Sequence, residues 1–264
     1  MNAAPLIQNP ETFEPPLSSP LSPPENLTAD PWWVSLIPER EWAALAQALE
    51  AMHAANIDCL LGGSVGLAFY THTLRQPQSF ALYMLPGEAL SALQALGGIG
   101  FAFDEAWRPA GPPWAYRATR DGVHLDIVFA MPNRRAEVDL LWFAQPPEMQ
   151  AHGLHLKIVP AEEMIWEKAF VLRSDRCDWP DILNLLRAMG PRLDWPHIFH
   201  RMGDDLPLLR ALLSIYDWVC PTGAAQVPAT VRERLRLPPL STEEAPQAQA
   251  IRIRLLDDRP WFTP

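Results

Sequence analysis

A glycine pair constrains this chain more than any other short segment. Gly62-Gly63-Ser64 follows an apolar run over residues 57–61, which reads as a strand, and opens a stretch over residues 64–73 that reads as a helix. Two glycines between a strand and a helix permit a sharp turn, and the first helical amides are left without intrahelical partners there. The next segment, residues 79–84, alternates in polarity and ends at Pro86-Gly87, as a strand with one buried face does.

Residues 123–130 alternate as well. Val123, Leu125, Ile127 and Phe129 form one apolar face, and His124, Asp126 and Val128 point the other way. Upstream, Trp42, Leu45, Leu49 and Met52 recur at helical spacing after Pro38, with a stop at Asn56. Residues 88–96 read as a helix stopped by Gly97-Gly98, and residues 101–103 and 114–118 as strands. Residues 138–143 and 154–159 read as extensions of the sheet. Beyond Pro160 the pattern turns helical, over residues 161–173, from Asp178 or Asp181 to Gly190, and over residues 195–202, 206–219 and 230–235. The fold class is α+β: a mixed β-sheet with flanking helices, followed by a C-terminal helical bundle. Four segments follow from this. Residues 1–31 form a proline-rich tail with little to bury, expected to be disordered, and residues 32–159 form an α/β domain. Residues 160–237 form a helical region and residues 238–264 an irregular tail.

Composition excludes several classes of function. The formal net charge of −10 sets the surface against a phosphate backbone, so no extended nucleic-acid surface is expected, although a small basic pocket for one nucleotide is compatible with it. Of 21 basic residues only Lys157 and Lys168 are lysines. Cys59, Cys177 and Cys220 are odd in number and widely spaced, which fits neither a disulfide framework nor a metal-binding pair, and a reducing cytoplasmic setting is expected. No apolar run has the length of a membrane span, and the N-terminus lacks the basic and apolar regions of a signal peptide.

The segments Gly62-Gly63-Ser64, Arg75-Gln76-Pro77-Gln78-Ser79-Phe80-Ala81 and Val123-His124-Leu125-Asp126-Ile127 resemble, in order and context, the active-site layout of the nucleotidyltransferase fold. The helical half extends the likeness to a bacterial nucleotidyltransferase-like family of the AbiEii/MNT type. It does so through Val159-Pro160-Ala161-Glu162-Glu163-Met164-Ile165-Trp166-Glu167-Lys168, Asp178-Trp179-Pro180-Asp181, Leu193-Asp194-Trp195 and Val219-Cys220-Pro221. Asn133, Asp139 and Trp142-Phe143 match the linking segment, and the resemblance covers roughly residues 57 to 237. In that fold an Asp-x-Asp pair on one strand face and a third Asp nearby hold two Mg²⁺ ions that clamp the reacting oxygens. Here Ser79 and Ala81 stand at the two positions of the pair, and Asp126 at the third.

The resemblance implies that Gly62, Gly63 and Ser64 hold phosphate, that Arg75 is the basic residue ahead of the catalytic strand, and that Lys168 faces the nucleotide phosphates. Asp126 is then a catalytic remnant and a weak metal ligand. On the residues alone, other readings stand beside these. The glycines suit any strand-to-helix turn, Arg75 a solvated helix end, Asp126 an exposed strand carboxylate, and Lys168 a cation paired with Glu163 or Glu167. The expectation is a catalytically degenerate protein, an enzyme only in ancestry. It would need neither Mg²⁺ nor a nucleoside triphosphate as cofactor, and would act through a protein partner, an oligomer or a bound nucleotide. The alternative is an active Mg²⁺-dependent enzyme that transfers a nucleoside monophosphate to a protein or RNA acceptor, with Asp104, Glu105, Glu137 or Asp139 replacing the lost ligands. A third reading makes the tail, the tryptophans and the apolar helices the interface of a scaffold or antitoxin-like subunit. The pairs His152/His155 and His197/His200 have metal-compatible spacing but no acidic or thiol company, and read as structural.

Overall fold

The computed structural model describes residues 30–74, 77–105, 113–132, 134–172, 176–240 and 251–255. Most of the tail over residues 1–31, Arg75, Asn133 and much of residues 238–264 lie outside them. The chain begins with a 3₁₀ turn, Trp32–Leu36, and a helix α1, Glu39–Ala54, whose N-cap is Pro38. Strand β1 (Leu60–Leu61) leads through Gly62 into α2 (Gly63–Thr71), and β2 (Phe80–Tyr83) is followed by α3 (Ala89–Gly98). Strands β3 (Ala102–Phe103), β4 (Ala115–Arg120) and β5 (Val123–Val128) complete a five-stranded sheet of order β1-β2-β5-β4-β3. The β2–β5 pair is parallel and the other three pairs are antiparallel, so the sheet is mixed.

Asp121 and Gly122 form the two-residue β4–β5 turn, both with positive φ (51° and 78°), as a type I′ hairpin requires. That turn sets the register: Arg120 opposite Val123, and hence Arg117 opposite Asp126. Along β5, Val123, Leu125 and Ile127 are buried, while His124 and Asp126 are half-buried on the other face. Phe80 and Leu82 of β2 are buried too; the Phe80 ring lies 5.7 Å from Trp42, which places α1 over the apolar face of the sheet.

Two expected sheet segments differ. Residues 138–143 do not form a strand: Leu140–Phe143 is a 3₁₀ turn, because Asp139 caps it by accepting the Leu141 N–H at 2.9 Å. Residues 154–159 contribute β7 (Leu154–Lys157), which pairs with β6 (Glu148–Ala151) in a separate hairpin and is joined to the main sheet by a bridge between Leu61 and Ile158. The β6–β7 turn is His152-Gly153, again with both φ positive, and the His152 N–H donates to the Asp30 carboxylate.

Five helices were expected to follow, and the helical region is present as α4 (Ala161–Ala169), α5 (Trp179–Met189), α6 (Trp195–Met202), α7 (Leu206–Val219), the additional short α8 (Pro221–Ala224) and α9 (Ala229–Arg234). Helix α4 ends at Ala169, short of residue 173. A single buried apolar cluster joins the sheet to these helices, with α2 and α4 both packed on α5.

Candidate functional site

The glycine turn lies against β2. The Gly62 N–H donates to the Ala81 carbonyl at 2.9 Å, and Gly63 has φ +57°, the left-handed region that favours glycine. A Cβ on Gly63 would sit 3.1 Å from the Ala81 Cβ, and one on Gly62 would enter the Tyr83 ring. Ala81 and Tyr83 therefore share one face of β2 beneath the turn. Ala81 is in register with Asp126, and Asp126 with Arg117, so three neighbouring strands present these side chains in one row.

That row holds an ion pair. The Arg117 guanidinium donates in bidentate fashion to Asp126, Nε to Oδ1 at 2.6 Å and Nη2 to Oδ2 at 2.9 Å, and the Ser79 hydroxyl donates to Oδ2 at 2.6 Å. A carboxylate offers about four lone-pair sites, and three are used. Asp126 is 14% exposed, so it is not the exposed strand carboxylate that its position alone allowed. Ala81, across from it, offers no oxygen. Among the described residues no group of three or more His, Cys, Asp or Glu side chains is placed to hold a metal ion. The residues present do not fit a pair of Mg²⁺ ions: a permanent guanidinium charge stands against the one carboxylate that remains.

Helix α4 covers the Tyr83 end of the same face. It is buried almost all round, and Glu163, Glu167 and Lys168 are buried with it. The Lys168 ammonium donates to Asp178 and Asp181, each at 3.0 Å, so its hydrogen bonds go to residues on and just before α5, while Glu167 acts on it through charge alone. Arg176 holds Asp178 from the other side with two bonds of 2.7 Å. Burial would raise the Asp178 carboxyl, but Arg176 and Lys168 outweigh it and bring it down to about 2. Tyr83, stacked on Trp142, donates its hydroxyl to Glu167 Oε1 at 3.2 Å. Burial pushes Glu167 up to about 7 against the pull of Lys168, and its second oxygen has no hydrogen-bond partner. Tyr83 thus fills the space between the glycine turn and α4.

A second buried cluster fixes α4 to α6. Arg201 donates to Asp139 through Nη1 at 2.6 Å and Nη2 at 2.8 Å, and to Glu163 through Nη2 at 2.7 Å. His197 Nε2 lies 2.7 Å from Glu163, a hydrogen bond that raises the imidazole pKa. Asp139, one candidate replacement ligand, is therefore held in this cluster and by its capping role. Burial acts to raise its carboxyl, but Arg201 and the Leu141 amide bring it below the ordinary value. The pair His152/His155 does not converge: His152 stacks on Trp42 and faces Glu39, while His155 pairs with Glu148. All three cysteines are free. No helix among the described residues is long and apolar enough to cross a membrane.

The residues that sequence reasoning missed are Arg117, Asp181 as a Lys168 partner, and Arg201. Arg117 had a signal, the Asp121-Gly122 turn, which dictates what lies opposite Asp126.

No protein-family model matches the sequence, and no curated protein matches it. The solved structures it is similar to include nucleotidyltransferases and nucleotidyltransferase-like proteins. The lincomycin-bound lincosamide antibiotic adenylyltransferase LnuA is 17% identical over 56% of this chain and 96% of its own, with a TM-score of 0.39. ANT(2")-Ia in complex with adenylyl-2"-tobramycin is 15% identical over 75% of this chain and 97% of its own, with a TM-score of 0.39. An antigenic nucleotidyltransferase-like protein from Paracoccidioides brasiliensis is 15% identical over 67% of this chain and 93% of its own, with a TM-score of 0.38.

Proposed function

We propose that this chain is a nucleotidyltransferase-fold protein of the AbiEii/MNT kind that has lost metal-dependent transfer and acts by binding a protein partner or a nucleotide without turnover. One observation carries the reading: Arg117 and Ser79 together hold the Asp126 carboxylate at the place where the fold's metals would be bound. A cation fixed to the chain does there what a mobile cation does in an active relative, which is to neutralise the carboxylate. It cannot bridge an attacking and a leaving oxygen. Ala81 removes the second ligand, and Tyr83 and the Lys168–Asp178–Asp181 cluster occupy the space beyond. Gly63 and Ser64 at the N-terminus of α2 remain the place for a phosphate. Trp32, Leu36, Leu140 and Leu141 are large exposed apolar side chains on which a protein partner could pack.

The reading is tested by titrating the protein with Mn²⁺ and following the free ion by electron paramagnetic resonance. Wild-type protein and Asp126→Ala are expected to give the same isotherm. A specific site present in the wild type and absent in the variant would overturn the proposal.

A further inference from the structure

Helix α6 starts against two adjacent glutamates of α4. Glu162 accepts the Asp194 N–H at 2.8 Å, and Asp194 caps α6 by accepting the His197 N–H at 3.0 Å. Glu163, its side chain 1% exposed, receives His197 Nε2 at 2.7 Å and Arg201 Nε and Nη2 at 3.0 and 2.7 Å, all on Oε1. Its other oxygen, Oε2, is buried without a hydrogen-bond partner among the described residues. His197 and Arg201 lie at i and i+4 of α6, so both reach the same carboxylate.

The two cations differ in kind. The Arg201 charge is permanent, and its guanidinium is also held by Asp139 and by the Trp166 ring, 4.6 Å from its centroid. The His197 charge is conditional, and a side chain that is 25% exposed exchanges protons with solvent. The Glu163 hydrogen bond raises the imidazole pKa; burial and Arg201 oppose it, and Asp194 adds to it. A raised folded-state value has a definite sign. The contact contributes fully below the ordinary value of about 6.5 and loses its contribution as pH rises through the folded value. Glu162, lifted by burial above the ordinary carboxylate value, also faces the ring from α4. The turn Gly203–Asp205 and helices α7 and α9 pack on α6 as well. There Asp204 and Arg210 are exposed, Asp205 pairs with Arg135, Asp217 with Arg232, and Arg234 lies over the Phe199 ring.

We propose that the contact between His197 and Glu163 is a pH-sensitive clasp between α6 and α4, closed while the imidazole is protonated and loosened when it is neutral. A neutral ring still donates from Nε2 in one tautomer, and Arg201 keeps its bonds, so α6 loosens in its first turns and does not detach. The inference does not depend on the fate of the Asp126 site. It is tested on the full chain by two measurements. Imidazole resonances are followed by NMR across the pH range, with His197 assigned by its absence from His197→Gln; the ring should titrate above about 6.5. Amide hydrogen exchange of α6 is then measured at pH 6 and at pH 9 and corrected for the intrinsic rates. In the wild type, α6 should open about fivefold more at the higher pH, the difference between a charge-assisted and a neutral hydrogen bond. His197→Gln keeps a donor near Nε2 and has no charge to lose, so its α6 should open to the same extent at both values. His200→Gln, at an exposed position of the same helix, should behave as the wild type. Glu162 and Glu167 titrate in all three proteins, and their effects cancel in the comparison. Titration of His197 at or below 6.5 would overturn the proposal, a result that needs no variant to be well folded beyond assignment. So would the same pH dependence of α6 exchange in the wild type and His197→Gln.

Discussion

Lys168→Met separates a structural lysine from a phosphate-binding one. The Lys168 side chain is 8% exposed, and its ammonium makes two bonds of 3.0 Å, to Asp178 (8% exposed) and Asp181 (13% exposed). Removing one partner of a buried ion pair costs about 3–5 kcal/mol, because the opposite charge is left in a poor solvent. Asp178 keeps both of its Arg176 bonds, and methionine retains the apolar stem, so the loss belongs at the lower end, about 3 kcal/mol. For a chain of this size that lowers the melting temperature by roughly 6–12 °C. Urea unfolding followed by fluorescence of the 11 tryptophans measures it. The deficit should shrink in acid, where the carboxylates no longer need a counter-charge. Unchanged stability combined with a loss of nucleotide affinity would show instead that the ammonium serves a ligand and not α5.

Two further outcomes follow from the same region. Glu167, raised from 4.5 to about 7, holds its proton in the folded state at pH values where the unfolded chain has released it, so stability falls as pH rises between those values. Glu167→Gln should flatten that slope and leave the protein more stable than the wild type above pH 7, by at most about 3 kcal/mol; denaturation midpoints across the window check it, and an unchanged slope would count against the account. Gly62→Ala would put its Cβ 2.8 Å from the Tyr83 Cδ2 and closer still to Cε2, and Tyr83 is held by Trp142 and Glu167. The cost should be about 1–3 kcal/mol in urea unfolding, as for overpacking elsewhere, whereas Gly87→Ala, where nothing lies within 4 Å, should cost far less.

The sheet was legible where alternation was strict. β5 shows its two faces in the sequence, and a slip of one residue would have buried Asp126 and exposed Ile127. The hairpin turn Asp121-Gly122 was equally open to reading, and with it Arg117 opposite Asp126, because a two-residue turn fixes every pair in the ladder. The segment before Phe143 misled because a short apolar run fits a strand and a 3₁₀ turn alike; its capping aspartate, Asp139, was the deciding signal. Lys168 could be recognised as a buried cation in need of carboxylates, but not which ones. Asp178 and Asp181 reach it through the packing of α4 on α5, a tertiary fact that no local pattern encodes. The same holds for Arg201, which joins Asp139 to Glu163 across 62 and 38 residues of chain.

Radiolabelling reads out directly whether the Asp126 site carries out transfer. Purified wild-type protein and Asp126→Ala are incubated with each α-labelled ribonucleoside triphosphate and Mg²⁺, with cell extract supplying protein and RNA acceptors. No Mg²⁺-dependent incorporation by the wild type above the level of the variant is expected. Robust incorporation that disappears with Asp126→Ala would contradict it.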